Sequence, residues 1–153
     1  MTFPGDIRTL LFNSCLALID ERIAAAQQYL DGISESVNDE TKSSAGDKHE
    51  TGRAMAQIEQ EKAARQLNDA IKMKTELQRI DLSKSGDTIV PGSVVITDKQ
   101  HFFISVPAGA IIASGKSFYA VSPVSPIGKA LMGKKAGEKL ELNGNSFSIE
   151  KLL

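Results

Sequence analysis

Phe12, Leu16, Ile19, Ile23, Ala26, Leu30, Ile33 and Val37 recur at alternating spacings of four and three residues. This is the a/d stripe of a coiled-coil seam. As one helix, the stretch from Phe12 to Val37 spans roughly 39 Å at about 1.5 Å per residue. A polar run follows, "NDETKSSAGDKHETG", and then a second stripe: Ala56, Ala63, Leu67, Ala70, Met73, Leu77 and Ile80. The second helix is predicted over about Glu50 to Arg79. Two long helices joined by a short polar connection most simply form an antiparallel hairpin in a monomer. A seam with another chain would satisfy the same pattern. Larger apolar side chains lie near 10–25 and 65–80, and few lie near 38–52, so the tip is expected to be held by little burial.

The period changes at "DLSKSGDTIVPG", where Ser83, Ser85 and Gly86 read as a linker. Short apolar runs with turn punctuation come next. Val94–Thr97, Phe102–Val106 and Tyr119–Val121 are predicted strands. Asn143-Gly144 between two alternating runs predicts a hairpin. "SPIGKALMGKKAG" reads as one short helix, with Ser125 as cap, Pro126 in the first turn and Gly133 or Gly137 at its end. The chain is therefore expected to be a two-domain α+β protein. Residues 1–82 would form an antiparallel coiled-coil domain, and residues 83–153 an antiparallel sheet with one short helix.

Composition narrows the function. The chain has 153 residues and a formal net charge of −1. Near-neutrality disfavours a general nucleic-acid binder. The charge is nonetheless split: residues 1–80 carry 13 acids and 10 bases (−3), and residues 81–153 carry 6 acids and 8 bases (+2). Aromatic residues make up 5%, with no Trp, which disfavours a deep aromatic ligand pocket. Cys15 stands alone, so an intrachain disulfide and a cysteine-based zinc site are both excluded. No signal-peptide pattern and no long apolar run is visible, so a cytoplasmic protein without a membrane anchor is expected.

Few residues suggest chemistry. His49 and His101 fall one in each half, and neither lies near a nucleophile-elbow pattern, which disfavours a Ser-His-Asp hydrolase. His101 opens an apolar strand and reads as a surface strand residue. "GKALMGKKAG" lacks the spacing of a phosphate loop. Lys129, Lys134 and Lys135 cluster near the short helix. They read as a solvated face first, and as a contact for an acidic partner or nucleic acid second. Asp47 and Glu50 are three apart at the predicted start of the second helix. From spacing alone, the better reading is a capping box that complements the helix dipole. The sharper reading is a pair of carboxylates that could share a hard cation such as Mg²⁺, with the remaining ligands drawn from water or a partner.

"SPIGKALMGKKAGEKLEL" resembles the C-terminal signature of the Gre transcript-cleavage factors of bacterial RNA polymerase. The matching positions are Ser125, Pro126, Ile127, Gly128, Ala130, Leu131, Gly133, Lys134, Gly137 and Glu138. "VPGSVVITD" resembles the strand that opens the same domain. The resemblance covers most of residues 86–153. It implies an FKBP-like C-terminal domain beside an N-terminal coiled coil, and it bears on the tip as well. The family motif Gly-Asp-Leu-Ser-Glu-Asn stands here as Gly46, Asp47, Lys48, His49, Glu50 and Thr51, with the glycine and both acids in register.

By resemblance, the coiled coil enters the polymerase secondary channel. Asp47 and Glu50 would help hold Mg²⁺ supplied in the polymerase active site. The polymerase itself would cleave the 3′ end of backtracked nascent RNA. The protein would then be a stimulator rather than an enzyme, with no cofactor bound independently. Ser125, Pro126, Ile127, Gly128 and Lys129, the core of the signature, would contact the partner or serve the fold. Lys48 and His49 depart from the family pattern and place basic groups between the acids. An alternative is therefore a channel-binding regulator of the same fold that does not stimulate cleavage. A peptidyl-prolyl isomerase is a poorer third reading.

Overall fold

The computed structural model describes residues 5–41, 46–84 and 86–153, with the side chains of 36–41 and 46–49 outside that description. Helix α1 spans Ile7–Thr41 and helix α2 spans Gly46–Gln78. The chain divides into two compact units. One is Ile19–Lys72; the other joins Met1–Leu18 to Met73–Leu153.

The first unit is the helical hairpin. Ile33, Ala63 and Ala70 are buried in it, and Ile23, Ala26, Leu30, Ala56 and Leu67 are half-buried. These are positions of the two stripes, so the heptad pattern sets the face that each helix turns inward. Alanines on the α2 side leave room for the larger Ile and Leu side chains of α1. Gln60 Nε2 donates to Ser34 Oγ across the seam at 3.3 Å. Tyr29, Met55 and Ile58 lie on the outside and are at least half exposed.

The second unit is built on six strands. They are β1 (Val94–Thr97), β2 (His101–Ile104), β3 (Gly109–Ala113), β4 (Lys116–Val121), β5 (Lys139–Leu142) and β6 (Asn145–Leu152). Their order in the sheet is β3-β4-β2-β1-β6-β5. The pairing is antiparallel except between β2 and β4, which run parallel. The expected antiparallel sheet is thus present, and its one parallel pair has a topological cause. After β2 the chain crosses to the sheet edge as β3 and folds back as β4, so β4 fills the gap beside β2 in the same direction. The β3–β4 and β5–β6 turns each carry two consecutive residues of positive φ: Ser114 at 52° with Gly115 at 74°, and Asn143 at 52° with Gly144 at 80°. That backbone matches the twist of the strands it joins.

Strand β1 is buried at all four positions, so both faces of the sheet centre are covered. On one face Val95, Phe102, Ile104, Phe147 and Ile149 pack with Ile89, Leu140 and Leu131. Leu131 belongs to helix α3 (Pro126–Leu131). The opposite face presents Phe103 and Ser105, both buried. Ser105 hydrogen-bonds the Cys15 thiol, which brings the base of α1 onto that face. This contact explains a shift in the seam. The sequence pattern places Phe12 and Leu16 inside, yet Leu11 and Cys15 are the fully buried pair and Phe12 and Leu16 are half-buried. At its base α1 serves a sheet as well as a helix, and the buried face widens accordingly.

Candidate functional site

Helix α2 begins at Gly46, so Asp47 falls in its first turn and Glu50 opens the second. Positions three apart on a helix share a face. Glu50 is exposed. The side chain of Asp47 lies outside the described residues. Carboxylates are hard oxygen donors, and Mg²⁺ is commonly held by one or two of them with water and phosphate completing the shell. The donor set thus suits a shared Mg²⁺. Among the described residues no group of three or more His, Cys, Asp or Glu side chains is placed to hold a metal. A complete site within this chain is therefore not what the described residues offer.

The residues of the C-terminal signature lie in the sheet unit, and their geometry is specific. Ser125 sits at the N-cap of α3 with extended backbone (φ −68°, ψ 162°). Its hydroxyl accepts from the Gly128 N–H at 3.1 Å and donates to the Ser122 carbonyl at 2.6 Å. The Ser125 N–H reaches the same carbonyl at 3.1 Å. Pro126 occupies the first turn, where a missing N–H costs nothing. Gly128 is buried, and a Cβ placed on it would stand 1.9 Å from the Ser122 carbonyl oxygen and 2.9 Å from Pro123 Cα. Ile127 packs half-buried against the core. Ser125, Pro126, Ile127 and Gly128 thus clamp α3 onto the segment before it. Lys129 is exposed in the last turn of the helix.

Gly133, at φ 80°, follows the helix and turns the chain. Its N–H donates to the Ile89 carbonyl at 3.0 Å, and the Ile89 N–H donates to the Lys134 carbonyl at 2.8 Å. The Glu138 carboxylate accepts from the Lys135 N–H at 2.5 Å. The backbone of this lysine-bearing segment is thereby fixed, while Lys129 and Lys135 remain exposed. His101 is half-buried rather than a surface residue, with its ring 5.4 Å from that of Phe118.

Three positions escaped the sequence reading. Ser122 supplies the carbonyl on which the α3 cap is built, and its hydroxyl accepts from the Val124 N–H at 3.2 Å. The Ser122-Pro123 dipeptide ahead of a cap was the available signal. Arg8 donates from Nε to the Gly92 carbonyl at 2.8 Å and from Nη2 to the Lys84 carbonyl at 2.9 Å, with no sequence signal at all. Asp81 accepts from the Ser83 hydroxyl at 2.5 Å and from the Ser83 N–H at 2.9 Å. Those bonds hold its carboxyl below the usual carboxylate range, and the nearby Lys84 and Arg8 cations add to the effect. At the base of α1, burial pushes the Cys15 thiol up to about 11, against a smaller opposing effect of the Ser105 hydrogen bond. No described helix is long and apolar enough to cross a membrane.

No protein-family model matches the chain. Among curated proteins, the transcription elongation factor GreA of Streptococcus thermophilus is 43% identical over 67 residues, which are 42% of this chain and 39% of that protein. The GreA of Streptococcus pyogenes is 38% identical over 65 residues, 42% of this chain and 38% of that protein. The chain thus spans about two fifths of the length of the curated relatives it matches. Among solved structures, the transcription factor Gfh1 overlaps 91% of this chain and 93% of its own at 20% identity with a TM-score of 0.38. A second structure, of GreA factor homolog 1 from Thermus thermophilus, overlaps 86% and 94% at 23% identity with a TM-score of 0.35. Overlaps that loose do not bear on the arrangement of the whole chain.

Proposed function

We propose that this chain, a relative of the Gre transcription elongation factors, binds bacterial RNA polymerase, reaches its active centre through the secondary channel with the tip of the helical hairpin, and stimulates cleavage of backtracked RNA. The observation that carries the proposal is the 43% identity to a curated GreA over 67 residues. The elements agree with it: the chain holds a long helical hairpin, suited to reaching, and a six-stranded sheet unit, suited to docking.

Asp47 and Glu50 stand three apart near the start of α2. There they would hold, jointly with the polymerase, a Mg²⁺ ion. Such an ion stabilises charge on the attacking and leaving oxygens of phosphodiester hydrolysis. The chain's own part is to carry the acids to the 3′ end of the RNA and orient them there. Neither acid completes a site alone, so activity belongs to the complex and this protein is a stimulator.

A second reading is that the chain occupies the channel without stimulating cleavage. Lys48 and His49, between the two acids, favour it, because basic groups there compete with a cation for the carboxylates. One reaction separates the readings. The full chain is added to a polymerase complex stalled on backtracked RNA, and both its retention on the polymerase and RNA shortening are followed. Retention with shortening supports cleavage stimulation. Retention without shortening supports the second reading. No retention overturns both.

A further inference from the structure

The Arg8 guanidinium reaches two carbonyls far from it in sequence. Nε donates to Gly92 at 2.8 Å, partly buried, and Nη2 donates to Lys84 at 2.9 Å, exposed to solvent. Each carbonyl belongs to a different piece of the joint between helix and sheet. Lys84 closes the turn after α2, where its N–H donates to the Asp81 carbonyl at 3.3 Å. Gly92 opens the path into β1, and its N–H donates to the Ile104 carbonyl at 2.7 Å. Arg8 itself stands in the first turn of α1, next to the buried Ile7.

Gly92 is shaped to this arrangement. Its φ is +95°, and a Cβ there would come within 2.9 Å of Ile80 Cγ2 and 3.1 Å of Arg8 Nη2. Only glycine leaves the space that the guanidinium and Ile80 occupy. The planar fork of Arg can hold two carbonyls at once, which a lysine ammonium on a flexible stem does less well.

We infer that Arg8 is a positioning residue that locks this joint: it fixes the connection from α2 into the sheet against the first turn of α1, and its withdrawal opens that connection while the sheet stays folded. The two prongs differ in what release costs. At Lys84 the freed carbonyl meets water at once, so opening starts there. Residues 86 and 87 beside it are exposed, and the sheet keeps its own ladder and apolar core without Arg8. A local opening of low free energy is the consequence.

Amide hydrogen exchange on the full chain tests the lock, with Arg8→Met and Arg8→Lys compared with the wild type. Loss of charge-assisted bonds in Arg8→Met should speed exchange at Ser83, Lys84, Gly86, Asp87 and Thr88 by about tenfold or more. The amides of Ile104 and Ile149 in the sheet should change by less than about twofold. Arg8→Lys should recover less than half of the lost protection. Unchanged exchange at those five amides would overturn the inference. So would equal acceleration in the sheet, a chain that fails to fold without the guanidinium, or near-complete recovery with lysine.

Discussion

Gly128 of helix α3 lies so close to Ser122 that a methyl group on it would stand 1.9 Å from the Ser122 carbonyl oxygen. The same oxygen accepts from the Ser125 hydroxyl and N–H. A single carbonyl therefore sets both where the helix starts and how near it approaches. Glycine and serine at a spacing of three are required by one contact.

Gly128→Ala should destabilise the protein by about 3 kcal/mol, because backbone atoms rather than a flexible side chain must yield. Gly86→Ala is the control, since nothing lies within 4 Å of a Cβ there and its φ is not in the left-handed range. Urea unfolding of the two variants checks this. Equal midpoints would show that α3 can slide away from Ser122 at little cost.

Cys15 should be inert in the folded protein. It is fully buried and its thiol is pushed up to about 11, so little thiolate exists near neutrality. Labelling by a disulfide reagent at pH 8 should be at least about 100-fold slower in the native protein than in urea. A pKa raised in the folded state gives stability that is complete below the unfolded value and lost as pH rises toward about 11. Cys15→Ala should flatten that alkaline loss. Fast native labelling would mean that the base of α1 opens from the sheet readily.

Asp81 works in the opposite direction. Its carboxyl is held low chiefly by the two hydrogen bonds from Ser83. A depressed folded pKa gives stability that is present above the ordinary carboxylate value and lost as pH falls through the folded one. Acid should therefore loosen the turn after α2, and exchange at the Ser83 amide should rise below the ordinary carboxylate range. Asp81→Asn should remove that pH dependence. An unchanged acid profile in the variant would assign the effect to another carboxylate.

Much of the fold was legible because its signals are periodic or stereochemical. The heptads give the two helices, Asn143-Gly144 gives the last hairpin, and Ser125 with Pro126 gives the start of α3. The parallel pairing of β2 and β4 was not legible, since strand order depends on which gap a returning hairpin fills. The Ser114-Gly115 turn was a missed signal of the same kind as Asn143-Gly144. At the base of α1, Leu11 and Cys15 displaced Phe12 and Leu16 from the deepest positions because a second surface covers the helix there. Arg8 was invisible for a different reason: its partners are backbone carbonyls 76 and 84 residues away, and carbonyls carry no sequence identity. The candidate acids were legible only as a spacing. That spacing suggested a helix cap as readily as a cation, yet α2 begins at Gly46, so Asp47 stands inside the helix rather than at its cap.

The central claim rests on those two acids. The most direct measurement is cleavage of backtracked RNA by the cognate polymerase, with the wild-type chain, Asp47→Ala and Glu50→Ala, at concentrations where all three remain bound. The account predicts accelerated cleavage with the wild type and a loss of about 10²-fold in each variant. Cleavage by both variants at the wild-type rate would contradict it.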